Sequence, residues 1–380
     1  MATAAEAQQD WTWRSSGTTQ TLRGVSLMQV SESEQLFVAV GDGGTILTSP
    51  EGFHWVAQNS GTSASLTGIA GGNALMVAVG QGGVILSSPD GFTWTTRSSS
   101  GPNLTSVAWW PNGYIAVGDG GAFATSPDGV VWTWGNVGAP VALYGVGGAS
   151  PEGGTLTMAC GQGGALYIVV SQGGAGPVTF TPAISGTSAD LQAIVNGWDD
   201  GVVGDGDYLG MLYTNGNWTM LSGPVGPRLR AVTTIDTAVE SGTGGSNFVN
   251  DEYIIAVGDY GSVFYSIGAG GPVLATGVPN TSTLYGVATD TQNIAVAVGE
   301  GGSIATSPLT TGIPTASFDI ANPASVNLGG TVQLSNSITG WGPLTYQWYF
   351  KVLHVLLWVQ QGAGRTGGWR NQLTSITGAC

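Results

Sequence analysis

The sequence predicts an all-β fold, a seven-bladed β-propeller, because a four-strand unit recurs along a glycine-rich chain. Glycine accounts for 65 of the 380 residues and charged residues for only 8%, which is typical of many short strands joined by tight turns. Two anchors, Leu-x-Gly-Val-like and Val-Ala-Val-Gly-like, each occur seven times. The glycine that ends the second anchor lies at Gly41, Gly80, Gly118, Gly161, Gly204, Gly258 and Gly299. A period of about 40 residues is the signature of a propeller blade.

Each copy contains four strand-sized segments in the same order. The Leu-x-Gly-Val anchor predicts the first strand, and the Val-Ala-Val-Gly anchor predicts the second. A Thr-Ile-Leu-Thr-Ser segment follows as the third, and a Trp opens the fourth, as in Val38 to Trp55. The second strand is apolar on both faces, so we expect it to lie between neighbouring blades.

The seventh copy lacks a fourth strand. It runs from Leu284 to Ser307 without a following Trp, whereas the N terminus holds an unassigned segment, residues 10–16, that resembles the fourth strand of another copy. We therefore predict that residues 10–16 form the outer strand of the last blade. Such closure would leave no blade face unpacked.

The turn between the second and third strands supplies the candidate ligand-binding residues. Its first position after the glycine is acidic in five copies and Gln in two: Asp42, Gln81, Asp119, Gln162, Asp205, Asp259 and Glu300. On one interpretation these residues ring a channel mouth and attract a cationic ligand. On the other, Asp-Gly and Gln-Gly are simply favourable turn pairs.

A second turn, Ser-Pro-(Asp/Glu)-Gly-x-x-Trp, joins the third and fourth strands of the first three copies. Pro presets φ, Asp accepts backbone N–H groups and Gly takes positive φ, while the Trp packs between blades. We assign a structural role to Ser49, Glu51, Gly52, Trp55, Ser88, Asp90, Gly91, Trp94, Ser126, Asp128, Gly129 and Trp132. These turns resemble the Asp-box (BNR) repeats of neuraminidase-type proteins. Their shortened form is similar to that of photosystem II assembly-factor propellers.

The sequence changes character after residues 10–310, which we assign to the propeller. Residues 314–350 resemble the first strands of an immunoglobulin-like β-sandwich, with Trp348 as its buried Trp. Residues 351–380 carry three basic and no acidic residues and show no strand alternation. We expect this tail to be irregular or disordered, from a truncated or frame-shifted end.

Several classes of function are disfavoured. A net charge of −15 with one Lys gives no basic patch for nucleic acid, and no apolar run is long enough to span a membrane. His54 is the only His of the propeller segment, so neither a metal site nor a Ser-His-Asp site is expected. No cofactor is predicted, and the chain is expected to be monomeric. The adjacent Trp109 and Trp110 could either stack on a sugar or pack between blades.

The function predicted first is a non-enzymatic binding scaffold, secreted or at the cell surface, whose protein or glycan ligand lies at the channel mouth. The resemblance implies a second possibility, an assembly factor for a membrane protein complex. The arginine-rich patch that this resemblance implies has no counterpart visible in the sequence. A sialidase-like glycoside hydrolase is the third possibility, but no nucleophile constellation accompanies the few arginines.

Overall fold

The computed structural model describes the repeat region almost continuously and short parts of the remainder. It describes residues 11–31, 34–72, 75–147, 157–171, 177–195, 200–205, 209–212, 218–220, 227–239, 249–267, 272–275, 282–290, 294–308, 315–320, 334–339, 351–352 and 355–356. The chain divides into two compact units. One is Asp10–Ser307, and the other combines Met1–Gln9 with Pro308–Cys380.

Within Asp10–Ser307, strand β1 (Thr12–Arg14) is followed by six groups of four consecutive strands, and each group forms one antiparallel sheet. The first three groups are β2 (Leu22–Gln29), β3 (Gln35–Gly41), β4 (Ile46–Ser49) and β5 (Val56–Gln58); β6 (Leu66–Gly71), β7 (Met76–Gly80), β8 (Val84–Ser88) and β9 (Thr95–Ser99); and β10 (Leu104–Trp110), β11 (Gly113–Gly118), β12 (Ala122–Ser126) and β13 (Thr133–Asn136). The other three are β14 (Leu143–Gly147), β15 (Thr157–Gly161), β16 (Leu166–Ser171) and β17 (Val178–Pro182); β18 (Leu191–Val195), β19 (Asp200–Gly204), β20 (Leu209–Leu212) and β21 (Trp218–Met220); and β22 (Leu229–Val239), β23 (Val249–Gly258), β24 (Val263–Ile267) and β25 (Pro272–Ala275).

A seventh four-stranded sheet joins the two ends of this unit. It contains β26 (Leu284–Thr289), β27 (Ile294–Gly299) and β28 (Ile304–Pro308), with β1 as its fourth strand. In β1, Trp13 pairs with Ala305 and Arg14 with Ile304. The Arg14 Nε also donates a hydrogen bond to Thr306 Oγ1 at 2.9 Å. The predicted pairing of the N-terminal segment with the last copy is therefore confirmed.

The sheets pack against one another in chain order. The first strand of each sheet contacts the first strand of the next, from β2 through β6, β10, β14, β18 and β22 to β26, and β26 contacts β2. Apolar clusters fill the spaces between consecutive sheets from the first to the sixth, and between the last sheet and the first. This arrangement is a β-propeller, in which each sheet buries both faces against its neighbours.

The second strands show why the chain needs continuous apolar runs. In β3, Val38 and Val40 belong to the cluster shared with the following sheet, whereas Phe37 and Ala39 belong to the cluster shared with the last sheet. All four side chains are fully buried. Successive residues of a strand point to opposite faces, so a strand enclosed on both sides must be apolar at every position.

The second compact unit contains four described strands: β29 (Thr315–Ile320), β30 (Leu334–Thr339), β31 (Lys351–Val352) and β32 (Val355–Leu356). Strand β29 pairs antiparallel with β30 and β31 with β32. The expected immunoglobulin-like module, including Trp348, and the expected irregular tail fall mainly outside the described residues. Both stay predictions.

Candidate binding site at the inner turns

Each second strand leads into a three-residue 3₁₀ turn, which we call the inner turn. The described inner turns are Asp42–Gly44, Gln81–Gly83, Asp119–Gly121, Gln162–Gly164, Asp259–Gly261 and Glu300–Gly302. In the Asp42 turn, both following glycines have positive φ, 65° and 73°. This differs from the two-residue hairpin in which the Asp would itself take positive φ. The two glycines therefore adopt the positive φ values that the turn requires. The turn conformation does not by itself require an acidic residue at the position before them.

A tight approach places every inner turn beside the start of a first strand. The backbone N–H of Asp42 donates to the Thr21 carbonyl at 2.9 Å, and the equivalent bond occurs in all seven copies, including Asp205 to Asp190. A Cβ built on the glycine that precedes the turn would lie 2.0–2.2 Å from that carbonyl oxygen. The seven predicted ligand-binding residues consequently share one edge of the propeller with the first residues of the first strands.

Three of the five acidic residues at this edge are paired with arginine. The Arg23 Nε lies 2.5 Å from Asp42 Oδ1, and the corresponding distance is 2.6 Å for Arg228 with Asp205 and for Arg230 with Asp259. A second bond, from Nη2 to Oδ2, makes the Arg23 and Arg228 pairs bidentate. Such pairs fix the plane of the guanidinium as well as its position.

These pairs change the charge expected from the sequence. The hydrogen bond from Arg23 lowers the pKa of Asp42, and the same bond raises the pKa of Arg23. Both groups are therefore ionised across the physiological range, and their charges offset one another. Asp119 instead accepts a hydrogen bond from the Asn103 amide at 2.9 Å. The edge is a set of neutral pairs with a few additional carboxylates rather than a uniform acidic ring.

Two of the three paired arginines, Arg23 and Arg230, occupy a second set of positions, which sequence reasoning missed. All seven first strands have a register shift around the residue between Leu and Gly of the first anchor, and such bulges redirect a side chain. These bulge residues are Arg23, Thr67, Thr105, Tyr144, Gln192, Arg230 and Tyr285. The signal was present as the most variable position of the anchor, which holds Arg, Thr, Tyr or Gln while the other positions vary only among similar residues.

The chemistry at this edge is concentrated in one sector. Arg23 and Arg230 belong to the two first strands that flank the strand of Tyr285, and their guanidinium carbons lie 5.7 and 5.2 Å from its ring centroid. At these distances a guanidinium is attracted to an aromatic ring. In the second and third sheets, by contrast, the bulge residues are threonines whose hydroxyls donate to the next first strand, Thr67 to Leu104 and Thr105 to Leu143. We use the name arginine sector for Arg23, Asp42, Asp205, Arg228, Arg230, Asp259 and Tyr285.

The expectation that the chain lacks an arginine cluster is therefore corrected. Arg23 is more than 200 positions from Arg228 and Arg230 along the chain, and only the joining of the last sheet to the first brings them to one sector. Tyr144, the bulge residue of the fourth sheet, likewise lies near charged residues from other sheets. Burial raises the pKa of Tyr144, and the charges of Asp190, Asp119 and Asp205 raise it further.

The Ser-Pro-Asp-Gly turns lie at the opposite edge and hold the backbone. Asp90 Oδ1 accepts hydrogen bonds from the N–H groups of Phe92 and Thr93 at 2.8 and 2.7 Å. The Trp94 indole donates to the Gly91 carbonyl at 3.0 Å, and the Trp55 and Trp132 indoles make the equivalent bonds. In the first copy, Glu51 pairs instead with His54 at 2.5 Å.

Trp109 and Trp110, which could have stacked on a sugar, serve packing, as does Cys160. Trp110 is buried, and Trp109 packs edge-on against Tyr114 with ring centroids 4.8 Å apart. Cys160 is fully buried, and burial raises the pKa of its thiol to about 12. Among the described residues, no group of three His, Cys, Asp or Glu side chains could hold a metal ion. The described part of the chain also contains no helix of the length and apolarity needed to cross a membrane.

Comparison with known proteins supports the fold class. No family model matches the chain, and no curated protein matches it in sequence. Among solved structures, YCF48 bound to a D1 peptide is similar with a TM-score of 0.59 and 14% identity, over 80% of this chain and 97% of that chain. YCF48 from Cyanidioschyzon merolae has a TM-score of 0.58 and 17% identity, over 80% and 98%. Streptogramin B lyase has a TM-score of 0.60 and 11% identity, over 80% and 99%. At these identities the likeness concerns the fold alone: this chain contains a β-propeller.

Proposed function

We propose that this chain is a non-enzymatic binding scaffold that takes a polypeptide segment at the edge formed by the inner turns. In this proposal the seven four-stranded sheets are the seven blades of one closed ring, and the arginine sector lies at its mouth. The observation that carries the proposal is the arrangement of Arg23, Tyr285 and Arg230, whose guanidinium groups are held in place by Asp42 and Asp259.

The sector offers the groups that an extended peptide requires. Each paired guanidinium retains N–H donors beyond those bound to its carboxylate, and these suit backbone carbonyls. The carboxylate oxygens can accept backbone N–H groups, and the Tyr285 ring offers an aromatic surface. The side chains of Arg23 and Arg228 are 36% and 42% exposed, so a ligand can reach them. Because the pairs are formed in the unbound protein, little side-chain ordering is required on binding.

The comparisons favour a polypeptide over other ligands. One similar propeller, YCF48, is described as bound to a D1 peptide. Catalysis is not part of the proposal, because a sialidase-like site needs free arginines for a substrate carboxylate, whereas Arg23, Arg228 and Arg230 are already paired. A panel of fluorogenic glycosides incubated with the full chain should release no fluorophore above the blank.

Selection of a displayed random-peptide library on the full chain tests the binding proposal. We expect enriched peptides whose binding decreases at least tenfold in Tyr285→Ala and in Arg23→Gln. The matched control is His54→Ala, which changes an exposed side chain at the opposite edge and should leave binding unchanged. Circular dichroism of each variant separates lost binding from lost folding. Failure to enrich any peptide over an uncoated surface would contradict the proposal.

A second candidate is an assembly factor for a membrane protein complex. The likeness to two YCF48 structures favours it, since both cover 80% of this chain. It predicts that the tagged chain co-purifies with a specific membrane complex from detergent-solubilised membranes of its source cells, and that Tyr285→Ala abolishes this association. The secreted or cell-surface scaffold predicts instead that the chain is found outside the cytoplasm. Fractionation of the source cells distinguishes these two candidates.

A further inference from the structure

Tyr260 adopts a backbone conformation that most side chains avoid. Its φ is 58°, and it is the only non-glycine residue with positive φ in the described part of the chain. The equivalent residue of the other described inner turns is Gly43, Gly82, Gly120, Gly163 or Gly301. Side chains other than Asn and Asp rarely occupy this region because Cβ meets the following carbonyl oxygen. The sixth copy therefore carries a strain that the other described copies avoid.

The fold does not benefit from this strain. The Tyr260 side chain is 73% exposed, and among the described residues it forms no hydrogen bond and no ring contact. Four of the five equivalent positions also face open space, because a Cβ built on Gly82, Gly120, Gly163 or Gly301 would meet nothing within 4 Å. An aromatic ring at this position thus extends away from the propeller. Strain of this kind, when it stabilises no internal contact, indicates a role in function.

Tyr260 lies next to the arginine sector. The preceding residue, Asp259, holds Arg230 at 2.6 Å, and the Arg230 guanidinium lies 5.2 Å from the Tyr285 ring centroid. The turn Asp259–Gly261 also approaches strand β26, which contains Tyr285, within 8 Å between Cα atoms. Tyr260 therefore lies in the inner turn of the sixth sheet that approaches the first strand of the last sheet, at the same edge as Arg230 and Tyr285.

The charges of the sector favour an uncharged ligand. Each of the three guanidinium groups is matched by a carboxylate. A charged ligand side chain would have to displace one member of a pair and leave the other without its partner, whereas a neutral group can stack on the rings and bond to the remaining donors. These pairs are partly exposed, so the penalty for breaking one is modest, but a neutral ligand avoids that penalty altogether.

We infer that the segment bound at this edge is uncharged and presents a proline or aromatic ring to Tyr260. This inference rests on the proposed peptide-binding function and names the chemistry of its ligand. Tyr260 and Tyr285 supply the aromatic surfaces, and the Arg–Asp pairs bond to the backbone of the segment. Recognition of this kind depends on stacking and hydrogen bonds rather than on net charge.

The test compares peptides selected on the full chain for binding to the wild type and to Tyr260→Gly. The enriched peptides should carry Pro, Trp, Tyr or Phe with a net charge near zero. Their affinity should decrease about tenfold in Tyr260→Gly, while the melting temperature of this variant stays equal or rises because Gly tolerates the positive φ. Loss of binding in a variant that is at least as stable excludes a merely structural role.

The matched control is Gly120→Tyr, which places the same ring at the equivalent turn of the third sheet, where the bulge residue is Thr105. It should lower the melting temperature and leave peptide affinity unchanged. Affinity should also change less than about threefold between 50 and 500 mM salt, because screening acts on net charge.

The possible outcomes separate this inference from the proposed function. Peptides that bind Tyr260→Gly as tightly as the wild type, or enriched peptides that are highly charged and lost at high salt, would overturn the inference and leave peptide binding intact. An absence of enriched peptides would overturn both, and binding to a glycan array would then identify the ligand class instead.

Discussion

Single residues at the inner turns meet two different physical demands. The glycine before each turn, such as Gly118, has an extended backbone with φ of −171°, so conformation alone does not require glycine there. It is required by space, because a Cβ on Gly118 would lie 2.0 Å from the Asn103 carbonyl oxygen. Gly120, two positions later, has φ of 63° and open space around it. Here the backbone conformation alone selects glycine.

Alanine substitutions should separate these two demands. Gly120→Ala should lower the free energy of unfolding by roughly 1–2 kcal/mol through strain at positive φ. Gly118→Ala should cost more than about 3 kcal/mol, because the colliding atom belongs to the backbone and the sheet must shift to relieve the contact. Urea unfolding of both variants measures the difference. Equal destabilisation would contradict the steric explanation.

The carboxylates of the opposite edge should affect stability through pH. Backbone N–H groups of Thr93 and Phe92 bond to Asp90 and lower its pKa below the ordinary value of 3.8, and those of Val130 and Val131 do the same for Asp128. The ionised form is favoured by folding, so this stability is present above pH 3.8 and is lost as the pH falls through the lowered pKa.

Thermal unfolding as a function of pH tests this prediction. The wild type should melt higher than Asp90→Ala at pH 6, and the difference should shrink when the pH falls below about 4. Glu51→Ala is the control, because Glu51 pairs with an exposed His54 and not with backbone N–H groups. A difference between wild type and Asp90→Ala that persists at the lowest pH would contradict the assignment.

At the level of elements, strand β1 completes the last sheet. Its three residues pair with β28, and the neighbouring Trp11 is buried. Without β1, the outer edge of β28 would present unpaired backbone groups. The space between the last and first sheets would also lose Arg14, whose guanidinium carbon lies 4.4 Å from the Phe53 ring centroid. The element is short, but it joins the two ends of the repeat region.

Deletion of residues 1–16 should therefore lower the melting temperature by several degrees. Deletion of residues 1–9 is the matched control and should have little effect, because it leaves β1 in place. Differential scanning calorimetry of both variants measures the shift. If the longer deletion melts like the full chain, β1 does not stabilise the ring.

At the level of the whole molecule, a net charge of −15 is distributed so that the inner-turn edge is not uniformly acidic. The arginine sector offsets three of the five acidic residues of the predicted ring. The long-range field of the chain should still attract cations weakly. Binding of a ligand at this edge should depend instead on the Arg–Asp pairs and on the aromatic rings of Tyr285 and Tyr260.

Replacement of Asp42, Asp119, Asp205, Asp259 and Glu300 together by Asn tests the acidic ring directly. We expect the affinity for an oligolysine peptide to fall only about as much as in a control with five Asp or Glu replacements elsewhere, because both variants lose the same net charge. Stability should decrease by about 0.2–1 kcal/mol for each exposed pair that is lost. Calorimetric titration at low salt measures the affinity. A much larger loss in the ring variant would show that the carboxylates bind the cation themselves.

The repeated unit, its strand order and the pairing of the N-terminal segment with the last copy could all be predicted from the residues alone. These properties are local or periodic: apolar runs such as Val38 to Val40, turn glycines and Trp positions recur wherever the same packing is required. The seven turn residues, from Asp42 to Glu300, could be listed for the same reason. Their identity as a set follows from their equivalent places in the repeat.

Which side chains meet those turns depends on contacts between distant parts of the chain, so the folded structure was needed to find them. Arg23 pairs with Asp42 and approaches Tyr285, although the two ends of this arrangement are separated by most of the repeat region. The bulge in β2 directs Arg23 to the inner turn, and the contact between β26 and β2 brings Tyr285 beside it. Tyr260 acquires its meaning in the same way. Its positive φ and its exposure are properties of the folded turn. Its proposed role in binding depends on the approach of that turn to strand β26 of the next sheet.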